Sequence, residues 1–518
     1  MKAANQLISI LPSVKNKLLL LIIMGVFHSL AMAQNVVERI PLIDSFTTAS
    51  FKELQEVLSI PNDANFPMDI EKNIQWAERA FKRRGFVSRR IETKGAPLLM
   101  ASLPFKEDLP TVLVYLQMDG QPVDPSKWFQ PDPFVPVLKK EHSNGNWEII
   151  PWESIEQYEE DWRIFARAAS DAKGPVMMFL TAIDIMQSKN TSIPYNLKVI
   201  CDFEEEMGSP NLPEAVEQNR SLLASDILLI FDGPMHPSNK PTLYFGARGI
   251  ATMQMTTYGA IKPQHSGHYG NYIPNPVFKL ANILSSLKDK EGKVLVEGFY
   301  DGIELDKATK DILAAIPQDE EKMLEDLQIA VSEKVGDNYQ EALQFPSLNV
   351  RGMQSGWINE SVRTIIPDQA RAEIDIRLVK ESDPERLIQL IINHIEELGY
   401  RVISKEPTEE ERMKYNELVT ITSEISYQSF RTEINSPTGN WLRRAVQKTF
   451  GKDPILIRLM GGSIPISPFV NALKVPAVGI PTVNMDNNQH SPNENLRLGN
   501  YKEGVKMVLG ILSEPITK

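Results

Sequence analysis

Val112–Gly120 reads VLVYLQMDG. The apolar run ends in Gln117 and Asp119, which share a face if the run is a strand, because side chains alternate along a strand. A histidine and an aspartate in that arrangement would suggest a metal site. Glutamine is a much poorer ligand, so the stretch raises a chemical question as well as a structural one.

The same ending recurs along the chain. YNLKVICDFEEEMGS ends in Glu204-Glu205-Glu206, SDILLIFDGP ends in Asp232, and VPAVGIPTVN leads into NMDNNQHSPNEN and His490. RIFARAASDAKGP places Asp171 just before GPVMMFLTAIDIM, which reads as a helix. Short apolar runs alternating with amphipathic segments predict an α/β fold with a largely parallel central sheet flanked by helices. Ligands in such sheets bind beyond the carboxyl ends of the strands, where these acids and the histidine lie. Any one of them could be a loop residue or a helix cap; their recurrence at equivalent positions predicts a single site.

Asp171, Glu206 and Asp232 would bring three negative charges together. Crowded carboxylates raise one another's pKa or separate unless a cation joins them. Two divalent ions would leave a modest positive surplus to hold a hydroxide, a balance suited to a two-metal hydrolase. Adjacent side chains diverge, so Glu206 can bind metal while Glu205 faces the water to be deprotonated.

The motifs QMDGQPVDPSKW, ASDAKGP, EEEMGS, FDGP, FGARG, QHSGHYGN, RTIIPDQARAEIDIRLV, GGSIPIS and HSPNEN follow one another in this order. Together they resemble the M20 metallopeptidases, the family of carnosinase-like dipeptidases, aminoacylases and carboxypeptidase G, and the dipeptidase branch in particular. The resemblance implies two divalent ions, zinc first, with manganese or cobalt as alternatives. Asp171 would bridge them, Glu206 and His490 would complete one shell, and Asp232 and residue 117 the other. Glu205 would be the general base and acid, and Asp119 would orient the ligand at 117. His265 would reach across a homodimer to stabilise the oxyanion, while Thr364, Arg377 and Ser463 would contact the substrate. Arginine suits a substrate carboxylate because its planar fork donates two parallel hydrogen bonds. The implied division is a catalytic domain over 34–248 and 404–518, with an inserted α+β lid and dimerisation domain over 249–403.

Two positions depart from the family pattern. Gln117 stands where the family has histidine, and an amide oxygen is a hard, weak donor better matched to magnesium, calcium or manganese than to zinc. Ala166-Arg167-Ala168 replaces Gly-Arg-Gly, and alanine does not take glycine's positive φ without cost, which predicts a differently shaped loop.

The rest of the sequence narrows the setting. At 518 residues more than one domain is expected. A net charge of −12 and the lack of a basic stripe argue against nucleic acid as a partner. Lys2, Lys15 and Lys17 precede LLLLIIMGVFHSLAMA, and Ala31-Met32-Ala33 fits a cleavage site, so residues 1–33 read as a signal peptide and the protein as secreted or periplasmic, not membrane-embedded once processed. Cys201 is the only cysteine and reads as a packed thiol. The leading expectation is a peptidase acting on dipeptides or short peptides. The alternatives are an N-acyl amino acid amidohydrolase and a catalytically silent peptide-binding relative.

Overall fold

The structure, a computed structural model, describes residues 41–517, so the expected leader lies outside the described residues. An eight-stranded sheet organises the larger part of the chain. Its strands run in the order Val87–Ile91, Leu98–Ser102, Asn196–Asp202, Thr111–Gln117, Ile227–Ile230, Ala477–Gly479, Thr242–Tyr244 and Ile455–Ile457. The four central neighbours, from Asn196–Asp202 to Ala477–Gly479, are mutually parallel. Antiparallel pairing enters on either side of them, so the sheet is mixed, with its parallel part at the centre.

The Thr111–Gln117 strand is buried along its whole length. Val112, Val114 and Leu116 join the core on one face, while Leu113 and Tyr115 join the core on the other. Covering both faces explains why this strand is continuously apolar rather than alternating. The predicted helix forms over Lys173–Ser188 and packs against Leu498–Ser513. It is apolar nearly all round because it lies between that helix and the sheet.

A second, four-stranded antiparallel sheet pairs Asn495–Arg497 with Arg163–Phe165, then Val137–Glu141 and Trp147–Ile150. It holds the segments leading into Asp171 and out of His490 next to each other.

The lid has its own five-stranded sheet, ordered Ser347–Gln354, Gln369–Leu378, Gly249–Tyr258, Leu418–Tyr427, Arg401–Ile403. Helices Pro276–Leu287 and Pro384–Glu397 share its core. The expected boundary at residue 403 cuts through this sheet. Leu418–Tyr427 lies between Gly249–Tyr258 and Arg401–Ile403, so the lid runs on to Tyr427. Among the described residues, no helix is long and apolar enough to cross a membrane.

Candidate active site

The carboxyl ends of the four central strands deliver the site. Gln117 is the last residue of its strand, and Asp119 follows two residues on, fully buried. Past Asp202 the chain turns through Glu205–Met207 and leaves at Gly208 with φ 80°, a left-handed step that glycine takes at little cost. This turn is tied to the neighbouring strand end: the Glu206 backbone N–H donates to Asp119 Oδ2 at 3.0 Å. Asp232 follows Ile227–Ile230, and His490 comes from the loop after Ala477–Gly479.

Asp171, Glu206 and His490 meet. His490 Nε2 lies 3.0 Å from Asp171 Oδ2 and 3.2 Å from Glu206 Oε2. One donor atom from each of the three falls within 4.8 Å of the others, a spacing that could hold a metal ion. An imidazole nitrogen with two carboxylate oxygens is a donor set that suits zinc, and these three residues fit a divalent ion.

The remaining pair is arranged differently. Gln117 turns its amide nitrogen toward the acids: Nε2 donates to Asp171 Oδ1 at 2.8 Å and to Asp232 Oδ1 at 3.2 Å. Its oxygen, the atom a ligand role requires, is buried without a hydrogen-bond partner. Carboxylates only accept, so the amide's donors face them. As oriented, residue 117 does not fit the ligand role expected of it.

The electrostatics match a crowded acidic site. Burial, then the Asp232 and Asp171 charges, push Glu205 well above the usual carboxylate range. Glu206 is raised to about 8 by burial and Asp171, and Asp232 to about 7 by the same two causes. The hydrogen bond to Asp171 lifts His490 to about 9 against its own desolvation. The Glu205 carboxylate has no hydrogen bond or ion pair with any described residue, which leaves it available to a proton.

Two further groups come from the lid. Arg377, in the lid, donates from Nη1 to Ser463 Oγ at 2.8 Å and from Nε to Asp375 Oδ1 at 3.2 Å, joining lid to catalytic domain. His265 and Thr364 sit together at a short, exposed two-stranded antiparallel ladder, where His265 pairs with Ile365 and the Ser266 N–H donates to the Thr364 carbonyl. Neither side chain has a hydrogen bond or ion pair with the acidic cluster of its own chain.

The model of peptidase family M20/M25/M40 matches residues 115–514. The chain belongs to that family. It is 26% identical to a Beta-Ala-His dipeptidase of Rattus norvegicus over 91% of this chain and 94% of that protein. A Cys-Gly metallodipeptidase of Schizosaccharomyces pombe is 26% identical over 77% of this chain and 78% of that one. Among solved structures, an M20 family metallo-carboxypeptidase of Sulfolobus solfataricus superposes with a TM-score of 0.74 at 28% identity, covering 90% and 98% of the two chains. Human carnosine dipeptidase 1 shares the fold, with a TM-score of 0.70 at 23% identity, covering 92% and 98%.

Sequence reasoning missed the supports of this M20 site. Glu494 is fully buried and organises the Asp171 loop: it pairs with Arg167 at 2.7 Å and accepts from the backbone N–H groups of Ala168, Ser170 and Asp171. Its signal was an acid four residues after His490 in a motif already recognised. Gln121 donates to Glu206 Oε2 at 2.8 Å. Lys173, fully buried, gives its ammonium to the carbonyls of Val57 and Ile60, anchoring the helix that begins just past Asp171.

Proposed function

We propose that this protein is an exported, metal-dependent dipeptidase. The observation that carries the reading is the contrast between two neighbours. Glu206 joins Asp171 and His490 in a set that fits an ion, whereas the Glu205 carboxylate has no hydrogen bond or ion pair with any described residue. That is the division between ligand and proton carrier that metal-assisted amide hydrolysis needs. The similarity to Beta-Ala-His and Cys-Gly dipeptidases supports a dipeptide substrate, and the apolar segment before Ala33 supports export.

Asp171, Glu206 and His490 would hold the ion, with zinc favoured by the imidazole nitrogen. A bound ion supplies Lewis acidity, polarising a carbonyl and making water more acidic. Glu205 accepts the proton of the attacking water as the carbon–oxygen bond forms. It then returns that proton to the amine nitrogen as the carbon–nitrogen bond breaks. Arg377, held by Ser463 and Asp375, binds the substrate's terminal carboxylate. His265 and Thr364 serve the site of a second copy, a role supported by their exposure and by their making no hydrogen bond or ion pair with the acidic cluster of their own chain.

A panel of dipeptides and N-acyl amino acids tests this reading, using protein stripped with chelator and then supplied with zinc, manganese or cobalt. Dipeptide hydrolysis that disappears on stripping and returns with metal is expected. Turnover of N-acyl amino acids alone would overturn the dipeptide assignment, and metal binding without any turnover would make the chain a binding relative.

A further inference from the structure

Gln117 occupies an unusual position for a metal site. Only 2% of it is exposed, and its two amide N–H groups are spent on two carboxylates, Asp171 at 2.8 Å and Asp232 at 3.2 Å. Asp171 therefore faces two ways: Oδ2 toward His490 and Glu206, Oδ1 toward the amide. On the first side, three donor atoms converge at ion-binding spacing. On the second, a hydrogen-bond donor already joins the two acids.

We infer that the chain holds a single divalent ion, at Asp171, Glu206 and His490, and that the Gln117 carboxamide replaces a second ion by clipping Asp171 to Asp232. The inference rests on reading the site as metal-dependent.

The chemistry of the groups carries it. A primary amide has two N–H donors and an ionised carboxylate only acceptors, so one nitrogen can hold two acids together. Hydrogen bonds to charged groups are the stronger kind. For the oxygen to become a ligand, the amide must turn over and give up both bonds. A second irregularity points the same way. Asp119 Oδ1 is buried and has no partner. A metal-ligating histidine normally donates its other ring N–H to a carboxylate. With glutamine at 117 no such N–H exists, and the acid two residues on is left with an idle oxygen. The Lewis acidity of a second ion is absent, while its structural task of keeping Asp232 beside Asp171 is retained.

Ion content tests the inference independently of activity. Stripped protein is saturated with zinc, dialysed into zinc-free buffer, and measured by elemental analysis and native mass spectrometry. One zinc per wild-type chain is expected. Two are expected in Gln117→His, whose ring can serve both Asp119 and an ion. Asp232→Asn should keep its single zinc, because Asp232 belongs only to the clipped side. Two zinc ions per wild-type chain would overturn the inference, showing that the amide turns its oxygen to a second ion. Loss of the zinc in Asp232→Asn would also overturn it. No bound zinc at all would sink it together with the metal-dependent reading, whereas one zinc without dipeptide turnover would sink the dipeptidase reading alone.

Discussion

Ala168 shows what a single residue is asked to do near this site. Its φ is 61°, in the left-handed region, and its side chain is fully buried. Alanine here takes the left-handed conformation that the sequence marked as costly for it. The reason lies in Glu494, which accepts from the N–H groups of Ala168, Ser170 and Asp171 and so imposes the backbone path. A non-glycine residue there carries a conformational cost of roughly 1–2 kcal/mol, part of which glycine would return through its more flexible unfolded chain. We expect Ala168→Gly to raise unfolding free energy by about 1 kcal/mol in denaturant titration; an unchanged or lower midpoint would show that the position is not strained. Glu206 and Asp232 were legible at this scale because each follows an apolar run, and Asp171 and His490 because each sits in a recognisable motif beside one. Glu494 was not, since its work is to satisfy backbone N–H groups, which leave no mark on spacing or periodicity.

At the scale of elements, the strands that end in ligands were readable because both their faces are buried. The lid boundary was not. LVTITSEISY (Leu418–Tyr427) finds its partner in Gly249–Tyr258, far back in the chain, and such pairing is set by tertiary packing rather than local pattern. The long-range ladder that joins Gln264–His265 to Ile365–Ile366 was hidden for the same reason. It brings His265 beside Thr364, and neither makes a hydrogen bond or ion pair with its own chain's acids. If a second copy receives them, two individually inactive variants should complement each other. Mixing His265→Ala with Glu205→Gln chains is expected to restore part of the activity, because one site of each mixed dimer holds both intact groups. A monomer in solution, or verified heterodimers without rescue, would contradict this arrangement.

For the whole molecule, the alternation of apolar runs and amphipathic segments foretold an α/β core with the site at its strand ends. The antiparallel edges and the four-stranded sheet escaped notice because their strands are short and unremarkable in composition. The central claim is that this fold sets an ion-holding glutamate and a proton-carrying glutamate side by side. Glu205→Gln tests it most directly, since the change removes the proton acceptor but no member of the Asp171, Glu206, His490 set. Zinc content, thermal unfolding and dipeptide turnover should be measured on the variant beside the wild type. The account predicts unchanged zinc and folding, with kcat lower by about 10²–10⁴-fold. A variant that kept near-wild-type kcat would contradict it.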